Sequence, residues 1–160
     1  MDNVFIFNTV SNTFILGWLS LLIGSFLAYE SPNRRRLLFI GGRLIPLVLL
    51  AAFLSGVALT RSIEPKGHIF SYDGVITMLS VPERVLNLWT EILAYMLFVA
   101  RWIVDDLQKR HIPKGFSVFC VIATFLSGAL GILAYFISTA LHYIGLRYAY
   151  GKLNFIRDQI

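Results

Sequence analysis

Apolar and polar positions alternate along the chain in long blocks, which divide it into four apolar runs with charged or turn-forming segments between them. The runs are Val10–Tyr29, Leu37–Leu59, Val85–Val104 and Phe116–Leu141. Each reaches the length of about 20 residues that a helix needs to cross a bilayer. Because lipid offers no partner to backbone N–H and C=O groups, such runs must be helical. The pattern predicts an all-α polytopic membrane protein with four transmembrane helices.

The connections between the runs contain local helix signals. The segment Asp73–Leu79 predicts a short interfacial helix before the third span. Beyond it, Ser80 is expected to cap the third helix, Pro82 to occupy its first turn and Glu83 to complete a capping box. The connection at residues 105–115 is short and charged, so the third and fourth spans are expected to form an antiparallel hairpin.

Composition agrees with a membrane location. Of the 160 residues, 57% are hydrophobic and 14% are charged, and the mean hydropathy is +0.71. Residues 1–141 are expected to form the transmembrane domain, and residues 142–160 an aromatic and basic C-terminal tail. Four spans with short connections leave no room for a large soluble domain. The single cysteine, Cys120, has no partner for an intrachain disulfide.

The positive charges flank the apolar runs. The net charge is +5, and basic residues at helix ends are explained by cytoplasmic loops and anionic headgroups rather than by nucleic acid. Arg34, Arg35 and Arg36 follow the first run directly, and with a small excess of basic residues on that side they predict that both termini lie outside the cytoplasm. The N-terminus lacks the basic segment of a signal peptide, so the first run is expected to be a retained span. The expected location is a bacterial inner membrane, a photosynthetic membrane or an organelle membrane.

Small residues recur at spacings that let helix backbones approach closely. They are Gly17, Ser20, Gly24, Gly128 and Gly131. Two interpretations are open: packing within this bundle, or a face for a partner subunit. The tail residues Arg147, Tyr148 and Tyr150 likewise fit an interfacial anchor or a segment ordered by a partner.

Several spaced elements from residue 71 onward resemble those of a known family. They are SYDGV at residues 71–75, SVPE at 80–83, LFVARWI at 97–103 and IP at 112–113, and the opening stretch FNTVSNTFILGWLSLLI is similar as well. The chain resembles the abscisic-acid-deficient-4-like family of small four-helix membrane proteins. Plant members of that family are needed to make neoxanthin from violaxanthin. The resemblance implies the same fold and a connection with carotenoids.

The chain departs from the family at polar positions of the third span. The resemblance places a family histidine at Glu91, an aspartate at Met96, a glycine at Ala100 and a second histidine at Lys114. These polar residues are the family's candidates for isomerase or metal-assisted chemistry. Because three of them are replaced, catalysis does not carry over to this chain residue by residue.

Glu91 is the most informative single residue, since an ionisable group inside a span is costly and suggests function. Three interpretations are open. Glu91 can bond another span, for example Arg43 or a serine; it can contact a partner or a pigment; or it can act as a general acid or base. If a pigment or lipid binds, the expected contacts are Glu91, Trp89, Tyr95 and His142.

Other polar residues suggest ordinary roles. The alternating charges Arg101, Asp105, Asp106, Lys109 and Arg110 predict i,i+4 salt bridges at a helix end. His68, His111 and His142 lie in different segments and do not form a metal-ligand motif, so no metal site is predicted.

Two hypotheses of function follow. The first is a non-catalytic accessory subunit of an energy-transducing membrane complex, photosynthetic rather than respiratory, with other membrane subunits and lipids as partners and a carotenoid, a chlorophyll-type pigment or a lipid as candidate ligand. The second is a membrane enzyme of carotenoid modification in which Glu91 replaces the family histidine as acid or base.

Overall fold

The computed structural model describes residues 2–65, 67–68 and 70–157, with side chains described through residue 148. In that part of the chain every element is helical: α1 (Asn3–Phe26), α2 (Pro32–Phe39), a π-type segment (Ile40–Leu44), α3 (Ile45–Thr60), α4 (Tyr72–Leu79), α5 (Pro82–Lys109), α6 (Lys114–Leu126) and α7 (Gly128–Arg157). Four stretches are long and apolar enough to cross a membrane, namely Asn3–Phe26, Pro32–Thr60, Pro82–Lys109 and Gly128–Tyr148. The predicted all-α membrane fold with four such helices is confirmed.

The first span is longer than its apolar run. It begins at Asn3 rather than Val10, because the Asp2 carboxylate accepts a hydrogen bond from the Val4 N–H at 3.0 Å and caps the helix. Such a bond satisfies one of the free N–H groups of the first turn. Asn3 then donates to Glu83 at 3.1 Å, which ties the start of α1 to the start of α5. Both helices therefore begin at the same end of the bundle.

The second span is continuous from Pro32 to Thr60 and contains the π-type segment. Gly41 in this segment packs on the backbone of α1 at Gly17, where a Cβ atom would overlap the Gly17 carbonyl oxygen. The next residue, Gly42, faces the Arg101 side chain of α5. Small residues at these positions let three helices meet closely.

The short interfacial helix is present as predicted, but the expected cap of the third span is wrong. Ser71 caps α4 by accepting a hydrogen bond from the Gly74 N–H at 3.1 Å. Ser80 ends α4 in a helical conformation, with its N–H bonded to the Ile76 carbonyl at 2.9 Å. A residue in that conformation cannot be the N-cap of the next helix, which requires extended backbone. Val81 takes the N-cap position of α5 instead, without a side-chain bond.

The run predicted as one fourth span, Phe116–Leu141, is divided into two helices. Ser127 has extended backbone, with φ −167° and ψ 139°, and separates α6 from α7. The two helices fold back on each other, since the Cys120 Sγ and Ser138 Oγ atoms lie 3.6 Å apart. Helix α6 has 13 residues and is about 20 Å long at 1.5 Å per residue, less than the roughly 30 Å core of a bilayer.

The tip of this hairpin lies at mid-depth. Phe125, at the end of α6, stacks on Phe14 in the middle of α1 with 6.0 Å between ring centroids. Helix α7 then runs parallel to α5, as three contacts in sequence order show. A Cβ atom added to Gly128 would lie 3.6 Å from the Met96 Cγ atom, the ring centroids of Trp102 and Tyr135 lie 5.0 Å apart, and Tyr143 hydrogen-bonds Arg110. The hairpin thus enters from the end where α5 finishes and returns to that end.

We call this end of the bundle, which holds Arg34, Arg35, Arg36 and residues 110–114, the arginine end. Helix α7 continues through it to Arg157 without a boundary at residue 141, so the division into a domain and a tail stays a prediction. Helix α1 starts at the opposite end. The fourth apolar run turns back at Ser127 and does not cross the bundle, so α1 starts and α7 leaves at opposite ends of the described part of the chain. The side of the membrane on which each terminus lies stays a prediction.

This path predicts that reporters fused to the two termini detect opposite compartments. A fluorescent protein and a secreted phosphatase, each fused in turn to the N-terminus and the C-terminus, measure the two locations. We expect complementary results for the two ends, since α1 starts at one end of the bundle and α7 leaves at the other. The same reporter active at both ends would contradict the hairpin.

Candidate functional site

Beside the tip of the α6–α7 hairpin, an open apolar groove lies between α1 and α5. Its volume is about 540 Å³. The hairpin tip forms its floor. The lining residues are mainly large apolar and aromatic side chains of α1, α5 and the tip: Ser11, Phe14, Ile15, Trp89, Ile92, Leu93, Tyr95, Met96, Val99, Phe125, Leu126, Ser127 and Gly128. We call it the apolar groove.

Aromatic contacts hold the walls of the apolar groove. The Trp18 indole N–H donates to the Val121 carbonyl at 2.9 Å, and the Trp18 ring lies 4.6 Å from that of Phe125. At the outer end, Phe7 and Trp89 stack at 6.2 Å. Trp89 also lines an adjoining apolar pocket with Val4, Phe7 and Pro82. The groove therefore continues along α5 from the hairpin tip towards the start of that helix.

The polar groups of the apolar groove are few and uncharged. The Ser11 hydroxyl is buried, with no hydrogen-bond partner among the described residues. Ser127 contributes a second hydroxyl at the tip. None of the described lining residues is an acid or a base apart from the phenol of Tyr95. The groove suits a hydrocarbon chain, with a hydroxyl available to one polar atom of a ligand.

Glu91 lies on another face of α5, in a second groove that we call the polar groove. Its volume is also about 540 Å³, and it is lined by Phe53, Val57, Thr60, Arg61, Gly67, Met78, Arg84, Asn87, Leu88 and Glu91. Residues 91 and 96 are five positions apart and point in directions about 140° apart around a helix. For this reason Glu91 and Met96 face different grooves.

Most polar groups of the polar groove are already bonded within the chain. Arg84 donates to the carbonyls of Pro65 and Ile63 in the connection before α4. Asn87 donates to the Thr60 hydroxyl at 3.1 Å. Among the residues that the structure describes, no group bonds the half-buried Glu91 carboxylate. It is free to accept a hydrogen bond from a ligand or a partner.

The sequence-predicted contact residues do not form one site. Trp89 and Tyr95 line the apolar groove and Glu91 the polar groove. His142 lies past the hairpin at the arginine end, where it packs edge-on against Tyr143 at 5.8 Å. The predicted bond from Glu91 to Arg43 is absent, because Arg43 lies beside Arg101, about 15 Å further along α5 at 1.5 Å per residue.

The small residues are used mainly inside the chain. A Cβ atom added to Gly17 would lie 2.9 Å from Leu97, and one added to Gly24 would lie 2.8 Å from Leu38. Gly131 packs directly on Thr124 in the hairpin. The Ser20 hydroxyl donates to the Leu16 carbonyl at 2.8 Å. A partner role for these residues stays a prediction.

The remaining predicted interface residues lie at the arginine end. Arg147 and Tyr148 are exposed on α7, and the side chain of Tyr150 lies outside the described residues. Their role in partner binding also stays a prediction.

Two of the predicted salt bridges at the end of α5 are confirmed, and the one between the described residues Asp105 and Lys109 does not form. Arg101 bonds Asp105 at 2.8 Å, and Arg110 bonds Asp106 at 2.5 Å. Tyr135 of α7 also donates to Asp106 at 2.7 Å, a bond that helical spacing alone does not predict. The bond to the Asp106 carboxylate raises the pKa of the Arg110 guanidinium, so this exposed pair stays ionised.

Comparison with known proteins decides the family. A model of the family described as ABA DEFICIENT 4-like matches residues 5–135, which is most of the chain. The chain belongs to the ABA DEFICIENT 4-like family. No curated protein and no solved structure matches it significantly. Membership of the ABA DEFICIENT 4-like family indicates a carotenoid-related membrane protein.

This ABA DEFICIENT 4-like protein differs from the expected family pattern at four positions, which are spread over the fold. Glu91 lies in the polar groove and Met96 in the apolar groove. Ala100 is fully buried. Lys114 starts α6 at the arginine end, with its ammonium 4.7 Å from the centre of the Tyr29 ring. The structure does not bring Glu91, Met96 and Lys114 together.

The absence of a bond to Glu91 predicts that Glu91→Gln changes the free energy of unfolding by less than about 0.5 kcal/mol. Asn87→Ala, one turn away in the same groove, is the matched control. It is expected to cost about 0.5–1.5 kcal/mol, because it removes the bond to Thr60. Unfolding of both variants in detergent micelles measures the difference. If Glu91→Gln lowers the free energy of unfolding more than Asn87→Ala does, Glu91 forms a bond between helices after all, and this prediction is wrong.

Proposed function

We propose that this protein is a non-catalytic accessory subunit of an energy-transducing membrane complex, photosynthetic rather than respiratory, and that it holds a carotenoid or lipid chain in the apolar groove. The observation that carries the proposal is the lining of that groove. It is almost entirely apolar and aromatic, and its polar side-chain groups are two serine hydroxyls, the Tyr95 phenol and the Trp89 indole N–H. Such a surface binds hydrocarbon by burial of apolar area.

The dimensions of the groove fit one long apolar chain. From the level of Pro82 to that of Met96 the groove follows α5 for about 21 Å at 1.5 Å per residue. This length corresponds to one leaflet of the bilayer and part of the other. Trp89 and Tyr95 provide flat ring surfaces along it. An acyl chain or the end portion of a polyene can lie there with its axis along α5.

The non-catalytic part of the proposal rests on where the ionisable groups are. General acid–base catalysis needs a titrating group within hydrogen-bond reach of the reacting atom. Met96 places a thioether in the apolar groove at the position of the family aspartate, and Glu91 faces the other groove. A ligand in the apolar groove therefore meets no carboxylate or imidazole.

The proposed role as a subunit is supported by helix α7. It continues beyond the part that pairs with α6, as far as Arg157. Tyr148 on this extension is 78% exposed. Aromatic and arginine residues are enriched where proteins meet. We further propose that the arginine end is cytoplasmic, because the arginine triplet and the basic residues of α7 all belong to it.

The second candidate function is a membrane enzyme of xanthophyll modification, as the family resemblance implies. One observation favours it: the Glu91 carboxylate has no bond among the described residues and lines a groove as large as the first. In this function Glu91 would be the acid or base. The apolar walls of that groove, Phe53, Val57 and Leu88, can hold the rest of the substrate.

Filling the apolar groove tests the first proposal. Met96→Trp is expected to lower the carotenoid or lipid retained per protein by at least about fivefold, because the indole takes up the apolar contact area. Leu47→Trp, which adds the same ring at a lipid-facing position of α3, is the control and should retain the wild-type amount. Chromatography of extracts of the purified proteins measures both ligands. Equal retention in the two variants would contradict the proposed site.

Glu91→Gln separates the two functions. We expect the carotenoid profile of cells that depend on the variant to match the wild type, and the protein to purify in mild detergent in fixed stoichiometry with a multi-subunit complex. A changed xanthophyll profile together with a free monomer would support the enzyme and contradict the accessory subunit.

A further inference from the structure

Three arginines from two spans gather at the arginine end, and we call them the arginine cluster: Arg34 in the first turn of α2, Arg43 in the π-type segment and Arg101 of α5. Arg101 crosses Gly42, where an added Cβ atom would lie 2.5 Å from the Arg101 Cδ atom. Arg101 is close enough to repel both Arg34 and Arg43. The absence of a side chain at residue 42 leaves room for the aliphatic part of Arg101 against the second span.

The positive charge of the arginine cluster is not balanced within the chain. Asp105 bonds Arg101 at 2.8 Å and is the one acid that bonds a member of the cluster among the described residues. Arg34 donates instead to the neutral Gln108 at 2.9 Å. The neighbouring acid Asp106 is occupied by Arg110 and Tyr135. Asp105 also attracts Arg34, so one carboxylate is shared between Arg34 and Arg101. The three arginines carry two more positive charges than this acid balances.

Several donors of the arginine cluster are also unused. Arg34 is only 6% exposed, and its Nε atom is buried with no partner in the described residues. The Nε and Nη1 atoms of Arg101 are in the same state. A guanidinium carries five N–H donors in a planar fork that matches the oxygens of a phosphate. Buried donors that stay unbonded are costly, so these atoms indicate an anionic ligand.

Ordinary headgroup attraction does not explain this arrangement. Arg35 and Arg36 are exposed in the same turn and can reach water or headgroups freely. Arg34, by contrast, is held in place by the Tyr29 ring, 4.9 Å from its guanidinium carbon, and the same ring faces Lys114 at 4.7 Å. The buried arginine and the two exposed ones therefore differ in surroundings, although they are neighbours in sequence.

We propose that the arginine cluster binds the phosphate group of an anionic lipid, with Arg34 and Arg101 donating to its oxygens. A lipid is favoured over a free anion by the surface around the cluster. Phe39, Ile40 and Leu44 lie exposed along the same span, where acyl chains of a lipid with its headgroup on Arg34 and Arg101 would pack. This site is separate from both grooves and does not depend on the proposed function.

Lipid binding by the full-length protein in detergent tests the site. Native mass spectrometry with phosphatidylglycerol, phosphatidylcholine or inorganic phosphate measures retention, and thermal unfolding measures stabilisation. We expect phosphatidylglycerol to bind and stabilise more than the other two. Arg34→Gln and Arg101→Gln should each weaken its binding by about fivefold to tenfold. Arg35→Gln and Arg36→Gln, the matched controls, should weaken it less than about twofold.

Asp105→Asn leaves all three arginines in place. It therefore distinguishes an arginine cluster that binds lipid from one that only stabilises the fold. If the arginine cluster holds a phosphate, loss of this acid leaves more positive charge and phosphatidylglycerol binds more tightly. Lower stability without tighter binding would contradict the site, as would equal losses in Arg34→Gln and Arg35→Gln. Equal stabilisation by inorganic phosphate and phosphatidylglycerol would contradict a lipid as the ligand. An acidic segment of another subunit that co-purifies instead of lipid would show that the arginine cluster binds a protein partner, and would also contradict the proposal.

Discussion

The packing of the α6–α7 hairpin against the middle of α1 is the contact on which the rest of the structure depends. The Trp18 N–H bond to Val121 and the ring contacts of Phe125 with Phe14 and Trp18 hold the tip at mid-depth. Extended backbone at Ser127 can exist there because only one residue departs from helix and its backbone groups stay bonded: the Ser127 N–H donates to the Ala123 carbonyl at 3.2 Å, and the Ser127 carbonyl accepts from the Gly131 N–H at 3.1 Å. From this contact follow the open apolar groove, the parallel course of α5 and α7, and the placement of the two termini at opposite ends.

The hairpin also separates an apolar surface of α5 from a polar one. The groove that it leaves open between α1 and α5 is apolar, with Trp89, Tyr95 and Met96 on its walls. Glu91 is directed to another face of α5, where its neighbours Arg84 and Asn87 are already bonded. A long helix at the centre of the bundle can present different surfaces in this way, because successive side chains point about 100° apart. One surface is suited to holding a hydrocarbon and the other to a polar contact.

At the arginine end, close packing of helices brings positive charges together that need a negative partner. Gly41 and Gly42 bring the second span against α1 and α5, and this approach places Arg34 and Arg101 near each other in a poorly hydrated region. Charges there need hydrogen bonds together with opposite charges or lipid headgroups to be stabilised. The glycine contacts that pack the helices thus also position the arginines that we propose bind a lipid of the surrounding membrane.

The sequence by itself determined the membrane location, the helical class, the approximate spans and the family. These follow from long apolar runs and from spaced elements such as SYDGV and LFVARWI, which need no knowledge of contacts. The salt bridges Arg101–Asp105 and Arg110–Asp106 were also predictable, because they depend on helical spacing alone. The pair Ser127–Gly128 inside an apolar run was a signal of the break, but Ser and Gly are also common in unbroken transmembrane helices. Tertiary structure decided that the fourth run turns back, which groove each side chain of α5 faces, and that Glu91 bonds no other described residue. These outcomes depend on contacts between residues distant in sequence, such as Trp18 with Val121, and hydrophobic periodicity carries no information about them.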